Sequence, residues 1–152
     1  MDYTPCAFTD SQHPHITTHA YELALTVLFE SGLHHLADHP ESFLEQPQPV
    51  RDVLSRLPAA WDETRYVSGY PGQSALLARR SGTTWYVADI NGTDAPSTFS
   101  CDLSFIDGQQ HITLFADSGN ASSPWQITQP TQLPDTVTCR PRGGFVCVTR
   151  PL

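Results

Sequence analysis

The spacing of apolar residues changes once along the chain, near Trp61, and that change commits the two halves to different kinds of structure. Before it, Ile16, Ala20, Leu23, Ala24, Val27 and Leu28 recur at helical spacing and make one face of a helix over 16–30. Tyr21, Leu25 and Phe29 widen that face almost to a full circle, and a helix apolar on most sides needs neighbours on most sides. Nothing nearby in the sequence looks large enough to supply them, so this helix is expected to carry uncovered apolar surface. A shorter helix is signalled by Pro49 at a first-turn position, followed by Val50, Val53, Leu54 and Leu57, and it stops before Pro58. Between the two, Asp38-His39-Pro40-Glu41 reads as a loop, with a helical turn over 42–45.

After Trp61 the period falls to two. Runs rich in Val, Ile, Thr and aromatic residues occupy 64–67, 75–79, 84–90, 98–106, 111–116, 125–128, 136–139 and 145–149, about eight strands. Ser81-Gly82, Asn91-Gly92, Asp107-Gly108 and Gly143-Gly144 read as tight hairpin turns, where glycine supplies positive φ. Strands joined this way pair antiparallel, and without helices between them they close as a two-sheet sandwich. The fold class is therefore mainly β, an antiparallel sandwich of about eight strands behind an α-helical segment.

Composition removes several functions. The 152 residues hold one ordinary domain plus part of another. All eight basic residues are arginines against 16 acids, a net charge of −8, so a nucleic-acid partner is not expected. The acids are unevenly spread, with eight against two arginines in 1–60 and eight against six in 61–152. No apolar run approaches the roughly 18 residues of a spanning helix, and Met1-Asp2-Tyr3-Thr4-Pro5 lacks the pattern of a signal peptide, so no membrane partner is expected. Cys6, Cys101, Cys139 and Cys147 form no CxxC pair.

Each candidate site has a structural alternative. His15 and His19, like His35 and His39, are four residues apart, the spacing of zinc ligands on a helix; both pairs straddle expected helix ends, which favours solvated or capping histidines. Paired carboxylates drive glycoside hydrolysis, and the candidates are Asp2, Glu22, Glu30, Asp62 and Glu63. None makes a convincing pair without a shared cleft, and only Asp2, beside Tyr3, keeps pocket character. Strand alternation turns Cys101, Cys139 and Cys147 toward the core as inert thiols, although a hairpin at Arg142-Gly143-Gly144 would set Cys139 opposite Cys147 for a disulfide. Trp61, Trp85 and Trp125 with Tyr66, Tyr70 and Tyr86 offer either core packing or a sugar-stacking surface. Two sequons, at Asn91 and Asn120, matter only in a glycosylating host.

Several strings together resemble one family. Met1-Asp2-Tyr3-Thr4-Pro5, Thr18-His19-Ala20-Tyr21-Glu22-Leu23-Ala24, Phe29-Glu30-Ser31-Gly32-Leu33 and Leu36-Ala37-Asp38 look like the end of the catalytic barrel of glycoside hydrolase family 97. Pro58-Ala59-Ala60-Trp61-Asp62-Glu63-Thr64-Arg65 is similar to the junction with that family's C-terminal domain, and Gly69-Tyr70-Pro71-Gly72, Trp85-Tyr86-Val87 and Pro141-Arg142-Gly143-Gly144-Phe145-Val146 continue the match.

The resemblance implies that 1–60 is the last strand and helices of a (β/α)8 barrel and that 61–152 is a C-terminal oligomerisation sandwich. It implies a chain without catalytic or metal residues of its own, because the acid, base or nucleophile and the calcium ligands of the family lie upstream. Asp2 and Tyr3 would be a remnant of the substrate pocket. The implied partners are the missing N-terminal and barrel domains and further copies of the chain, and the implied location of the parent is periplasmic or secreted. At Cys6 the family's strand motif continues with glycine, which sets a question about the local turn. An autonomous glycan- or protein-binding sandwich is the rival reading. On either one, deletion of residues 1–56 is expected to leave a folded sandwich.

Overall fold

The computed structural model describes residues 3–10, 13–120 and 123–152. Among these described residues three helices come first: α1 (His19–Leu28), α2 (Pro40–Leu44) and α3 (Gln48–Leu54). Eight strands follow: β1 (Glu63–Tyr70), β2 (Ser74–Ser81), β3 (Thr84–Asn91), β4 (Ser97–Ser100), β5 (Gln110–Asp117), β6 (Trp125–Thr128), β7 (Thr136–Cys139) and β8 (Gly144–Pro151). Six of them form an antiparallel sheet in the order β1-β2-β3-β8-β5-β6, and β4 and β7 pair as a small second sheet.

Strand alternation gives the large sheet two apolar faces. Ala78, Val87, Cys147 and Leu114 lie opposite one another across four strands and pack toward Leu103, Ile106, Val137 and Cys139 of the small-sheet layer. Ala88, Val146 and Phe115, one residue along, point the other way and share a core with Leu23, Ala24 and Val27 of α1 and Val50 and Val53 of α3.

That second core overturns the expectation of an uncovered helix. The neighbours that α1 needs are in the chain, and they are the outer face of the sheet, too far along the sequence to be seen as local partners. Gly144 marks the closest approach, since a Cβ there would lie 2.9 Å from the Tyr21 Cα and 2.6 Å from the Asp89 carbonyl oxygen. The start of α1 is held as well, by Thr18, whose hydroxyl caps Tyr21 and whose N–H donates to the Arg142 carbonyl at 3.1 Å. Gly144→Ala is therefore expected to lift α1 from the sheet and cost about 3 kcal/mol, the upper end of ordinary overpacking. Urea unfolding checks it; a cost within measurement error would mean that the helix does not sit this close.

Of the four expected hairpin turns, one closes a hairpin and three do not. Ser81-Gly82 does join β2 to β3, with Gly82 at φ 57. Asn91-Gly92, Asp107-Gly108 and Gly143-Gly144 join strands of different sheets, so none of them closes a hairpin. Gly143 is a glycine because a Cβ would fall 1.9 Å from the Asp117 Oδ2, which accepts from the Gly144 N–H at 3.1 Å. Asn91 donates to the Ala95 and Arg140 carbonyls at 2.7 and 2.9 Å and is 1% exposed, which closes it to a glycan. The Asn120 sequon runs into residues outside those described.

Cys139 and Cys147 fall in different sheets and all four cysteines are free, so the cross-strand disulfide does not form. The strand expected over 98–106 ends at Ser100, yet Leu103 and Ile106 beyond it are still buried.

Candidate functional site

The expected pocket remnant lies at the start of the chain. Asp2 falls outside the described residues. Tyr3 is half-buried, stacks on Phe29 with ring centroids 4.3 Å apart, and forms a parallel bridge with His34. The His35 N–H donates to the Tyr3 carbonyl at 3.0 Å and the Ala37 N–H to the Pro5 carbonyl at 2.9 Å. Two extended segments thus run side by side in parallel with α1 between them, which is the connectivity of a strand-helix-strand unit.

Two carboxylates fasten the chain where it leaves the first of these segments. Glu22, on α1, accepts from the N–H groups of Cys6 and Ala7 at 3.2 and 3.3 Å and from the Thr17 hydroxyl at 2.6 Å. Asp38 accepts from the N–H groups of Phe8 and Thr9 at 2.7 and 2.9 Å, from the Thr9 hydroxyl at 2.9 Å and from the His39 N–H at 2.8 Å. Burial opposes the charge on Asp38, but donors from Phe8, His39, Thr9 and Ser42 hold its carboxyl down at about 2. These hydrogen bonds are what let the backbone bend at Cys6, which takes φ 67, a left-handed conformation that favours glycine. The question raised by cysteine in place of glycine is answered by a bend that persists, with the Sγ 3.4 Å from the Glu22 carbonyl.

The other carboxylates singled out from the sequence are structural too. Glu30 pairs with Arg79, whose guanidinium is almost fully buried, donates to the Phe29 carbonyl at 3.1 Å and lies 5.6 Å from the centre of the Trp61 ring. Asp62 accepts from the Gly82 N–H at 2.7 Å, and Glu63 pairs with Arg65 and Arg80 at 2.6 and 3.2 Å. Arg80 also lies 3.7 Å from Asp62, so Asp62 and Glu63 share one arginine.

The histidines do not make a metal site. His15 Nδ1 contacts Asp10 Oδ1 at 2.6 Å and its Nε2 contacts the Ala7 carbonyl at 2.5 Å, two acceptors that require a proton on each nitrogen. Burial works against that charge, yet the Ala7 carbonyl and the Asp10 carboxylate prevail and raise the pKa of His15. Burial and the charge on His15 lower His19, whose ring packs between Phe8 and Trp125. His35 and His39 are exposed. Among the described residues no three His, Cys, Asp or Glu side chains converge as metal ligands. Glu22 and Asp38 already face N–H and O–H donors, which a calcium ion would have to displace, so the residues present do not fit that ion.

Cys139 and Cys147 are buried as strand parity predicts, whereas Cys101, beyond the end of β4, and Cys6 are buried without being on a strand. Burial pushes Cys101 up to about 11 and Cys147 up to about 12, and it raises Cys6 and Cys139 as well. None of the four is expected to react with Ellman's reagent at pH 8 until the protein unfolds; rapid labelling of one of them in the native state would contradict this.

Of the aromatic residues, Trp85, Tyr86 and Trp125 are buried, with Trp85 and Tyr86 on opposite faces as alternation requires. They form no sugar-stacking surface. Tyr66 and Tyr70 remain 68% and 65% exposed.

Comparison with known proteins decides the family. The model of the glycosyl-hydrolase 97 C-terminal region, described as an oligomerisation domain, matches residues 60–150. The chain belongs to glycoside hydrolase family 97. Over 103 residues this family 97 chain is 47% identical to a Streptomyces bingchenggensis protein named "Probable retaining alpha-galactosidase", covering 68% of the chain and 16% of that relative. Over 121 residues it is 35% identical to the retaining alpha-galactosidase of Bacteroides thetaiotaomicron, covering 79% of the chain and 18% of the relative. It thus spans less than a fifth of the length of either.

Among solved structures, a beta-arabinopyranosidase superposes with a TM-score of 0.84 at 30% identity, over 97% of this chain and 25% of that one. A family 97 enzyme from Pseudoalteromonas sp. strain K8, in complex with panose, superposes with a TM-score of 0.82 at 26% identity, over 100% of this chain and 26% of that one.

Sequence reasoning missed the two anchoring roles. Asp38 reaches Phe8 across 30 residues and Glu22 reaches Cys6 across 16, separations at which a single sequence carries no pairing signal.

Proposed function

We propose that this chain is the C-terminal portion of a family 97 α-glycosidase, with 1–60 as the end of the catalytic barrel and 61–152 as the C-terminal domain. Its role is assembly and fastening, and it does not cleave glycosides by itself. The observation that carries this reading is the family match over residues 60–150, together with two retaining alpha-galactosidases as relatives. Those relatives make an α-galactoside the favoured substrate class of the parent enzyme. The parallel pairing of 3–5 with 34–37 around α1 supports the barrel assignment, since parallel strands joined through a helix are the repeating unit of such a barrel.

Hydrolysis needs one group to protonate the leaving oxygen and another to attack or to activate water. Glu22, Glu30, Asp62 and Glu63 are each engaged by N–H groups or by arginine. The purified chain is therefore expected to release no nitrophenol from nitrophenyl α-galactoside or α-glucoside, with or without calcium. Steady release that is abolished by Glu63→Gln would overturn the reading.

A further inference from the structure

The large sheet ends in two strands that differ sharply in how they are protected. β6 is four residues long, lies between Pro124 and Pro130, and is covered by the helical layer: its Trp125 packs on Phe8 and donates to the Gln46 side chain at 2.9 Å. Short length, flanking proline and a covering layer are the usual means of keeping an edge from pairing with another chain. β1 is eight residues long and is paired on one side only, to β2. Its charged residues are occupied within the molecule: Glu63 pairs with Arg65 and Arg80, and the Arg65 guanidinium lies 4.5 Å from the centre of the Phe105 ring.

Beside this open edge the helical layer stops short. Tyr66, Leu77, Ala88, Val146, Phe115 and Ile127 lie opposite one another in a single row across all six strands. Ala88, Val146 and Phe115 are buried beneath the helices, whereas Tyr66, at the β1 end of the same row, is 68% exposed. A row of core residues therefore continues into solvent at an unpaired edge. Tyrosine is well suited to that place, because it brings a large contact area at low cost in lost rotamer freedom.

We propose that the β1 edge, with Tyr66 beside it, is the surface through which two copies of this chain associate. The proposal rests on the assembly role given above and assigns it a surface. The segment described as oligomerising begins at residue 60, immediately before β1, and leaves out the exposed Leu33, Leu36 and Leu44 of the helical layer. A second copy suits an open antiparallel edge because two β1 strands related by a two-fold axis run antiparallel and present the same surface to each other. β1 pairs regularly with β2 on both sides of a register shift between Tyr66 and Ser68, and such a bulge interrupts a continuous ladder along the edge, so the Tyr66 side chain carries much of the contact.

Sedimentation velocity of the full chain at concentrations on the order of tens of micromolar tests this, with circular dichroism to confirm that each variant is folded. The unaltered chain is expected to sediment as a discrete dimer. Tyr66→Glu should raise the dissociation constant by about thirtyfold or more, the effect of losing a central aromatic contact. Tyr66→Phe keeps the apolar ring and loses only the hydroxyl, which donates to the Gly69 carbonyl at 2.7 Å, and should remain dimeric. Leu36→Ser should also remain dimeric. A Tyr66→Glu chain that still dimerises, or a Leu36→Ser chain that does not, overturns the assignment of the surface while leaving the assembly role standing. A monomeric unaltered chain overturns both.

Discussion

Removing residues 1–56 is expected to abolish the cooperative thermal transition. The truncation strips α1 and α3 from Tyr86, Ala88, Phe115, Val146 and Val148, all of them at most 5% exposed in the intact chain. Burial of a large apolar side chain is worth about 1.5–3 kcal/mol, so exposing this face forfeits on the order of 10 kcal/mol. Net stabilities are about 5–15 kcal/mol, and the loss therefore consumes most or all of the margin. Calorimetry on a chain beginning at Leu57 would show no sharp endotherm. A transition close to that of the intact chain would mean that the sheet folds without its helical cover, as the change of period in the sequence suggested.

The second large effect is electrostatic. Asp89 lies on β3, wholly buried, with the Cys139 thiol 3.8 Å from one carboxyl oxygen. Burial pushes its carboxyl from the ordinary 3.8 up to about 7, against smaller downward pulls from the thiol and the Ile90 N–H. The folded protein then holds the Asp89 proton more tightly than the unfolded chain. The stabilisation from that proton is complete below about pH 4, is lost as pH rises toward 7, and is absent above. At about 1.4 kcal/mol per unit, the ceiling is roughly 4 kcal/mol.

Asp89→Asn supplies a neutral side chain of the same shape. It should be more stable than the unaltered protein at pH 8 by about 2–4 kcal/mol, with the gap closing toward pH 4. Urea unfolding of both proteins at pH 4.5, 6 and 8 gives the comparison. Asp117, raised by burial, and His15, raised by its two acceptors, titrate in both proteins and so cancel in the difference. A gap that does not change with pH would contradict the assignment.

What could be read in the sequence was whatever repeats over a short distance. The alternation in 84–90 and 145–149 located β3 and β8 and turned Trp85 and Tyr86 to opposite faces, because side-chain direction in a strand follows parity alone. The apolar spacing in 16–30 gave α1, though Ile16, counted on its face, precedes the helix and is 83% exposed.

Glycine was less informative, since the same residue serves tight turns and close packing. Gly82 turns a hairpin, whereas Gly143 makes room for Asp117 and Gly144 for α1. Only the three-dimensional neighbours separate these uses. The bare helix was misjudged for a similar reason: its cover comes from strands more than 50 residues away, and periodicity records that a face is apolar without recording what meets it. At the candidate site, Tyr3 stands out in the sequence as a pocket remnant and Glu22 as a candidate carboxylate, but their contacts are those of a brace that holds the first strand against α1.

The central claim is that the helical segment and the sheet form one cooperative unit, so that residues 1–60 and 61–152 share a core. Native-state hydrogen exchange on the intact chain, followed across sub-denaturing urea, measures this directly. The amides of Leu23, Ala24 and Val27 on α1 should exchange with the same free energy and the same urea dependence as those of Val146 and Val148 on β8. Exchange of the α1 amides at a free energy several kcal/mol lower and insensitive to urea, while the β8 amides remain protected, would contradict it.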